Sequence, residues 1–230
     1  MLRKFLKDLY QNDPFLWRLA IEKFRRQDKR DPPPTHAILF TGSSSIRFWS
    51  SLEHDMAPYT VINRGFGGSM IHQVLHYAEE IIVPYQPAAI FLYAGENDIA
   101  GLWLTRKHSA EEVCENFEEF CRHVQHHLPD VPVHYISIKP ARSRQKYWPE
   151  MQRANRMIEQ FCETDKRLRY IDIVPAMQTE TGETRSELFS FDGIHMNEKG
   201  YAVWTKVIRP YVEEIAAGKT GSSSSKSRAN

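Results

Sequence analysis

From residue 36 onward, short apolar runs alternate with longer stretches in which apolar residues recur every three or four positions. The runs His36–Thr41, Val61–Asn63, Ala88–Tyr93, Val131–Ile138 and Leu168–Ile173 have strand length. Their near-continuous apolarity is what strands covered on both faces require, so they predict a parallel sheet. The clearest helix opens at Ser109-Ala110-Glu111-Glu112, where a serine hydroxyl and a glutamate three residues on can each satisfy a free backbone donor. It continues with Val113, Phe117, Phe120, Val124 and Leu128 on one face. Further helices are predicted over Ile71–Val83, Glu150–Thr164 and Glu198–Ala216, with a shorter one over Ile46–Leu52. Strand–helix alternation of this kind implies a doubly wound α/β sandwich.

The two ends read differently from the middle. Residues 1–31 carry nine Lys/Arg against five Asp/Glu, with Phe5, Leu9, Phe15, Leu19 and Phe24 at loosely helical spacing. Two readings stay open: a basic amphipathic helix that meets a membrane surface or partner, or one or two short helices packed on the domain and interrupted near Asp13-Pro14. Asp31-Pro32-Pro33-Pro34 ends any helix, because proline lacks the N–H and biases its predecessor to extended geometry. Residues 218–230 have almost nothing to bury and predict a flexible tail. The expected organisation is thus a helical extension over 1–34 packed on the core, one domain over 35–217 and a tail over 218–230.

Composition narrows the function classes. A chain of 230 residues with a net charge of +1 fits one medium domain and has no global field that would draw nucleic acid. Cys114, Cys121 and Cys162 are too few and too scattered for a disulfide scaffold and are expected to be free thiols in a reducing compartment. The first residues, Met1-Leu2-Arg3-Lys4-Phe5-Leu6-Lys7-Asp8, lack the unbroken apolar core of a secretory signal. No stretch approaches the roughly 18 apolar residues of a membrane span, so a cytoplasmic location without membrane insertion is expected.

The chemistry is read from the turns. In an open α/β sheet, functional groups gather at the carboxyl ends of the strands. Three such turns are Gly42-Ser43-Ser44-Ser45, Asn63-Arg64-Gly65-Phe66-Gly67-Gly68-Ser69 and Tyr93-Ala94-Gly95-Glu96-Asn97-Asp98. A fourth segment, Phe191-Asp192-Gly193-Ile194-His195-Met196-Asn197, precedes the last helix and can fold over the same edge. Serine, acid and imidazole together supply a nucleophile, its base and the carboxylate that orients the base. The glycines lack a Gly-x-Gly-x-x-Gly spacing and no Lys-Ser/Thr follows, which argues against a phosphate cradle. Ile46 stands where a Gly-x-Ser-x-Gly elbow needs its last glycine. His123, His126 and His127 share a helix but have no complete ligand set, and no metal is expected there.

These four segments resemble the sequence blocks of the SGNH hydrolase superfamily, the GDSL-type esterases and lipases, over about residues 36–212. The resemblance is nearest to members with a Gly-Ser-Ser-Ser-Ile first block and a Tyr-Ala-Gly-x-Asn-Asp third block. It implies a flavodoxin-like three-layer α/β/α sandwich with a five-stranded parallel sheet, and ester hydrolysis of a small molecule without a metal or organic cofactor. By position it implies Ser44 as nucleophile, with Ser43 and Ser45 as neighbouring alternatives. Ser43 stands where many members have aspartate. It further implies Asp192 and His195 as acid and base. The implied oxyanion donors are the Ser44 and Gly68 amides, with Gly67 as the register alternative to Gly68, and the Asn97 side chain.

Lesser expectations remain. Lys139 or Arg142 could meet a substrate or be solvated at a strand end. Trp49, Phe66, Tyr93 and Trp103 could line an acyl pocket or belong to the core, and Arg64 could face solvent or substrate. Competing functions are a metal-dependent phosphoesterase using Asp192, His195, Asn97 and Asp98, and a flavodoxin-like binding module without turnover.

Overall fold

Residues 17–101 and 106–218 are described by a computed structural model of the chain. The five apolar runs become strands β1 (Ile38–Gly42), β2 (Val61–Gly65), β3 (Ala89–Tyr93), β4 (Val133–Ile136) and β5 (Leu168–Ile171). All neighbouring pairs are parallel, in the order β2-β1-β3-β4-β5. This is the flavodoxin-like order, whose switch point lies between β1 and β3, where ligand sites of such sheets form. Every residue of β1 and β3 is buried, as their unbroken apolarity demands.

Nine α-helices are described among these residues: α1 (Arg18–Arg30), α2 (Ser44–Arg47), α3 (Leu52–Met56), α4 (Ile71–His76), α5 (Ala78–Ile81), α6 (Glu96–Ala100), α7 (Ala110–His127), α8 (Trp148–Cys162) and α9 (Glu198–Ala216). One face of the sheet packs on α1, α4, α5, α7 and α8 through side chains such as Leu39, Ile90, Leu92, Phe117 and Ile158. The opposite face packs on α2, α3 and α9 through Phe40, Phe91, Trp49, Trp204 and Ile208. The result is a three-layer α/β/α sandwich with two separate cores. The Ser109–Glu112 capping box forms as read, with the Glu112 amide donating to Ser109 Oγ at 3.3 Å and the Ser109 amide to Glu112 Oε2 at 2.9 Å.

Two predicted helices are interrupted. The stretch Ile71–Val83 is two short helices joined at Tyr77, whose ring turns inward and meets Phe66 edge-on at 6.1 Å. The stretch Ile46–Leu52 divides between α2, which begins at Ser44, and α3. The first is a single turn, so its dipole acts through little more than its leading N–H groups.

Within the first 31 residues, those from 17 onward are described. Trp17 and Ile21 are buried in the first core, and Asp28 pairs with Arg64 of β2. This part of the chain therefore packs on the sandwich. The earlier residues, and the tail beyond Gly218, lie outside the described residues. The three cysteines are buried free thiols. No helix among the described residues is long and apolar enough to cross a membrane.

Candidate active site

The chain leaves β1 through Gly42, whose φ of +126° is open to glycine. A Cβ at this position would lie 1.9 Å from the Tyr93 carbonyl oxygen, so the β1 and β3 ends can meet only because Gly42 has no side chain. The Ser43 amide then donates to that same carbonyl at 2.8 Å. Ser43 and Ser45 are buried, at 2% and 1% exposure, whereas Ser44 between them reaches the surface. Of the three serines, Ser44 meets an imidazole: its Oγ lies 2.9 Å from His195 Nε2.

His195 reaches this point from a loop that the aspartate three residues earlier folds upon itself. Asp192 Oδ1 accepts from the amides of Ile194 and His195, both at 2.9 Å. Its Oδ2 lies 2.6 Å from His195 Nδ1. Burial alone would push the Asp192 carboxyl up, but the two amides and the imidazole outweigh it and hold the group below the ordinary carboxylate range. The carboxylate stays ionised beside the imidazole, and a proton held between Nδ1 and Asp192 leaves the lone pair of Nε2 facing Ser44. The ring packs edge-on against Phe48 at 5.0 Å.

A neighbouring segment clamps the loop. Ser143 Oγ donates to the Asp192 carbonyl at 2.6 Å, the Ser143 amide to the Gly193 carbonyl at 3.1 Å, and Arg142 Nη2 to the Phe191 carbonyl at 3.3 Å. Gly193, at φ +66°, leaves room for this clamp, since a Cβ there would sit 2.5 Å from Ser143 Oγ. Arg142 thus supports the acid–base loop and is not simply a solvated strand end.

The turns after β2 and β3 flank the serine turn, because β1 lies between those strands with Gly42 in register with both Gly65 and Tyr93. Gly68 adopts φ +81°. Trp17 Nε1 donates to the Gly67 carbonyl at 2.7 Å and so fastens this turn to the N-terminal segment. Asn97 Nδ2 donates to the Ser69 carbonyl at 3.1 Å, tying the third turn to the second. Its Oδ1 accepts from Arg144 Nη1 at 3.1 Å, and the same guanidinium nitrogen donates to the Glu96 carbonyl.

Under Asn97 lies a polar network that composition does not betray. Lys139 is wholly buried, ion-paired with Glu96, and donates to the Tyr93 hydroxyl at 3.1 Å. Tyr93 in turn donates to Glu96 Oε2 at 2.7 Å. Burial would raise the Glu96 carboxyl, but Lys139 and Arg144 reverse that and lower it below its ordinary value. Lys139 therefore faces neither substrate nor solvent. The signal for it was an acid in the Tyr-Ala-Gly-Glu-Asn turn and a lysine at the end of an adjacent strand.

Packing decides the other expectations. Trp49, Phe66 and Tyr93 are core residues at 1% exposure or less, not walls of an acyl pocket. Trp103 lies outside the described residues. Arg64 faces neither solvent nor substrate: it is 4% exposed, donates to Asp28 and Tyr85, and fixes α1 to β2. The four-residue donor set of the phosphoesterase reading does not assemble. Asp192 and His195 bond each other, Asn97 bonds Ser69 and Arg144, and Asp98 turns to the Ile71 amide at 3.2 Å. His123 and His127 do approach one another and Glu79, on the surface of α7 and α5.

Comparison with known proteins identifies the family and the fold. Residues 38–203 match the GDSL-like lipase/acylhydrolase family. Among solved structures, the chain is similar to a protein of Streptococcus pneumonia provisionally described as a platelet activating factor, at 20% identity and TM-score 0.73, over 91% of this chain and 99% of that one. It is similar to a GDSL-like lipase from Bacteroides thetaiotaomicron at 18% identity and TM-score 0.70, over 84% and 97% of the two chains. An acetylxylan esterase from Geobacillus stearothermophilus shares the fold at 12% identity and TM-score 0.60, over 80% and 95%. A comparison with curated protein sequences finds no significant match. The chain belongs to the GDSL-like lipase/acylhydrolase family of the SGNH hydrolase superfamily, and is a hydrolase of ester bonds.

Proposed function

We propose that this protein is a serine carboxylesterase of acetylesterase type, with Ser44 as nucleophile, His195 as general base and acid, and Asp192 as its orienting carboxylate. The observation that carries the reading is the continuous chain from Asp192 Oδ2 to His195 Nδ1 at 2.6 Å and from His195 Nε2 to Ser44 Oγ at 2.9 Å. A serine hydroxyl is a weak nucleophile until a base takes its proton, and this arrangement puts the base within reach.

In the reaction, Ser44 Oγ attacks the ester carbonyl as its proton passes to His195 Nε2. Asp192 stabilises the imidazolium without taking the proton itself. Negative charge gathers on the former carbonyl oxygen and is met by the Ser44 and Gly68 amides and the Asn97 side-chain amide. Such donors matter because they are in place before the charge develops, and losing one typically lowers turnover by on the order of 10²–10³. The alkoxide leaves with the proton from His195. Water activated by the same imidazole then releases the acid from the acyl-enzyme. Phe48, 46% exposed against the imidazole, and Phe191, 97% exposed beside Asp192, offer apolar contact to a small ester substrate.

A fluorophosphonate probe tests the reading, since it reports an activated serine without assuming the natural ester. Labelling of the native protein that is abolished in Ser44→Ala supports it. Labelling that persists in Ser44→Ala, or hydrolysis lost to a chelator alone, overturns it.

A further inference from the structure

A second cluster lies beside the third turn but belongs to no step of ester hydrolysis. Asp98, next in the chain to Asn97, is fully buried, and its Oδ2 has no hydrogen-bond partner among the described residues. His72 projects from α4 and His108 stands just before α7; the Nδ1 of each is likewise buried and unpartnered. One donor atom from each of the three residues lies within 4.8 Å of the others. His108 Nδ1 is 3.7 Å from Asp98 Oδ1, beyond hydrogen-bond length, and the two imidazole centroids are 5.4 Å apart.

Buried polar atoms are almost always paired, and one left alone costs about 1–3 kcal/mol, more when charged. Three residues from three chain segments, each with one such atom and each offering a ligand atom to the same small space, therefore call for a common partner. Two imidazole nitrogens and a carboxylate oxygen are the donor types that suit a borderline divalent ion. Three protein ligands with an open fourth position are a familiar zinc arrangement. The imidazoles must bind as neutral bases.

We propose that His72, Asp98 and His108 form a binding site for a divalent cation of the zinc class. The ion would join α4, which follows the Gly68 turn, to α6, which carries Asn97, and to the chain entering α7. It acts as a clasp between two of the turns around Ser44, and it takes no part in bond breaking. The competing account is that His108 and Asp98 face each other directly, 3.7 Å apart, with no metal between them.

The test uses the full chain stripped with a chelator and titrated with Co²⁺, then with Zn²⁺. Co²⁺ is expected to raise visible ligand-field absorption that Zn²⁺ abolishes, and Zn²⁺ to raise the melting temperature. His72→Ala and His108→Ala are each expected to weaken binding by roughly 100-fold or more, beyond the 10–100-fold effect of outer-shell changes. The Glu79–His123–His127 group, in which His123 is half-buried and the other two are exposed, is the rival site. A His123→Ala/His127→Ala variant, which leaves His72, Asp98 and His108 in place, is therefore expected to keep the signal. Absence of binding in that variant overturns the proposal even if the buried substitutions prevent folding. So does undiminished binding in His108→Ala. The same titration on Ser44→Ala separates this site from the ester-hydrolase reading, because the metal signal is expected to survive loss of the nucleophile.

Discussion

Arg144 Nη1 donates to Asn97 Oδ1 at 3.1 Å while Asn97 Nδ2 donates to the Ser69 carbonyl at 3.1 Å, so the carboxamide is held at both ends. A carboxamide rotated by half a turn would set its oxygen against the Ser69 carbonyl and its amide against a guanidinium. Both contacts would be repulsive. On the proposed reading, Arg144 thus selects the orientation in which the remaining Asn97 N–H serves the oxyanion. Arg144→Met is expected to lower kcat by roughly 10–100-fold with little change in KM, since the lost help belongs to the transition state. Arg144→Lys, which keeps one donor, should recover part of the loss. Steady-state kinetics on a chromogenic ester measures both; a rise in KM with unchanged kcat would place Arg144 in substrate binding instead.

Gly42 is where the serine turn is most sensitive to backbone change. Gly42→Ala puts a methyl carbon 1.9 Å from a backbone carbonyl at a φ that side chains rarely adopt. The strand ends would have to separate, and destabilisation of about 4 kcal/mol or more is expected. Urea unfolding reports it. Gly182→Ala, at φ +81° with open space around it, isolates the strain from the clash and should lose only about 1 kcal/mol.

Arg64, Asp28 and Tyr85 form a closed triangle. Arg64 Nη2 donates to Asp28 Oδ1 at 2.5 Å, Arg64 Nε to the Tyr85 hydroxyl at 2.8 Å, and Tyr85 to Asp28 Oδ2 at 2.6 Å. Burial, together with Asp28, pushes the Tyr85 hydroxyl up to about 12. Asp28→Ala leaves a buried guanidinium without its counter-charge and is expected to destabilise by about 2–4 kcal/mol, less than a wholly buried pair because Asp28 is partly exposed. Thermal or urea unfolding checks it, and hydrogen exchange should show the loss concentrated in α1.

His134 ties stability to pH. It lies in β4, its ring stacked on Phe91 with centroids 4.6 Å apart, and burial with the nearby Arg169 pushes it down to about 3. The unfolded chain binds this proton near the ordinary value of about 6.5, so it holds more protons than the native state below that pH. Stability therefore falls as pH drops from about 6.5 toward 3, by about 1 kcal/mol per unit from this group. His134→Phe, which preserves the stack, should remove that part of the slope. An unchanged slope in urea unfolding between pH 6.5 and 4.5 would contradict the assignment.

Much of this was legible in the sequence because sheet and site share one logic. Both-face burial writes each strand as an apolar run, and the site residues follow directly where the runs end. The turns that hold Ser44, Gly68 and Asn97 could be located on that basis, whereas the Asp192–His195 pair stands in a loop before the last helix. The candidate roles of these residues came from the family resemblance. The supporting shell was not legible. Lys139 and Glu96 lie 43 positions apart and His72 and His108 lie on different elements, so only the folded register brings them together. Arg64 was misread for a related reason, and Trp49 was left open between pocket and core for the same one. A charged or aromatic residue beside a functional turn looks like a ligand contact until its own partner, Asp28 or Tyr201, is placed against it.

On the proposed reading, Ser44 and His195 act as one unit in ester hydrolysis. The most direct test of this is kcat/KM for p-nitrophenyl acetate in the native protein, Ser44→Ala, His195→Ala and the double variant. Each single change is expected to remove most of the rate, on the order of 10⁴-fold or more, and the double variant to be no worse than either. Losses that multiply, or a Ser44→Ala protein that still turns over the ester, would contradict it.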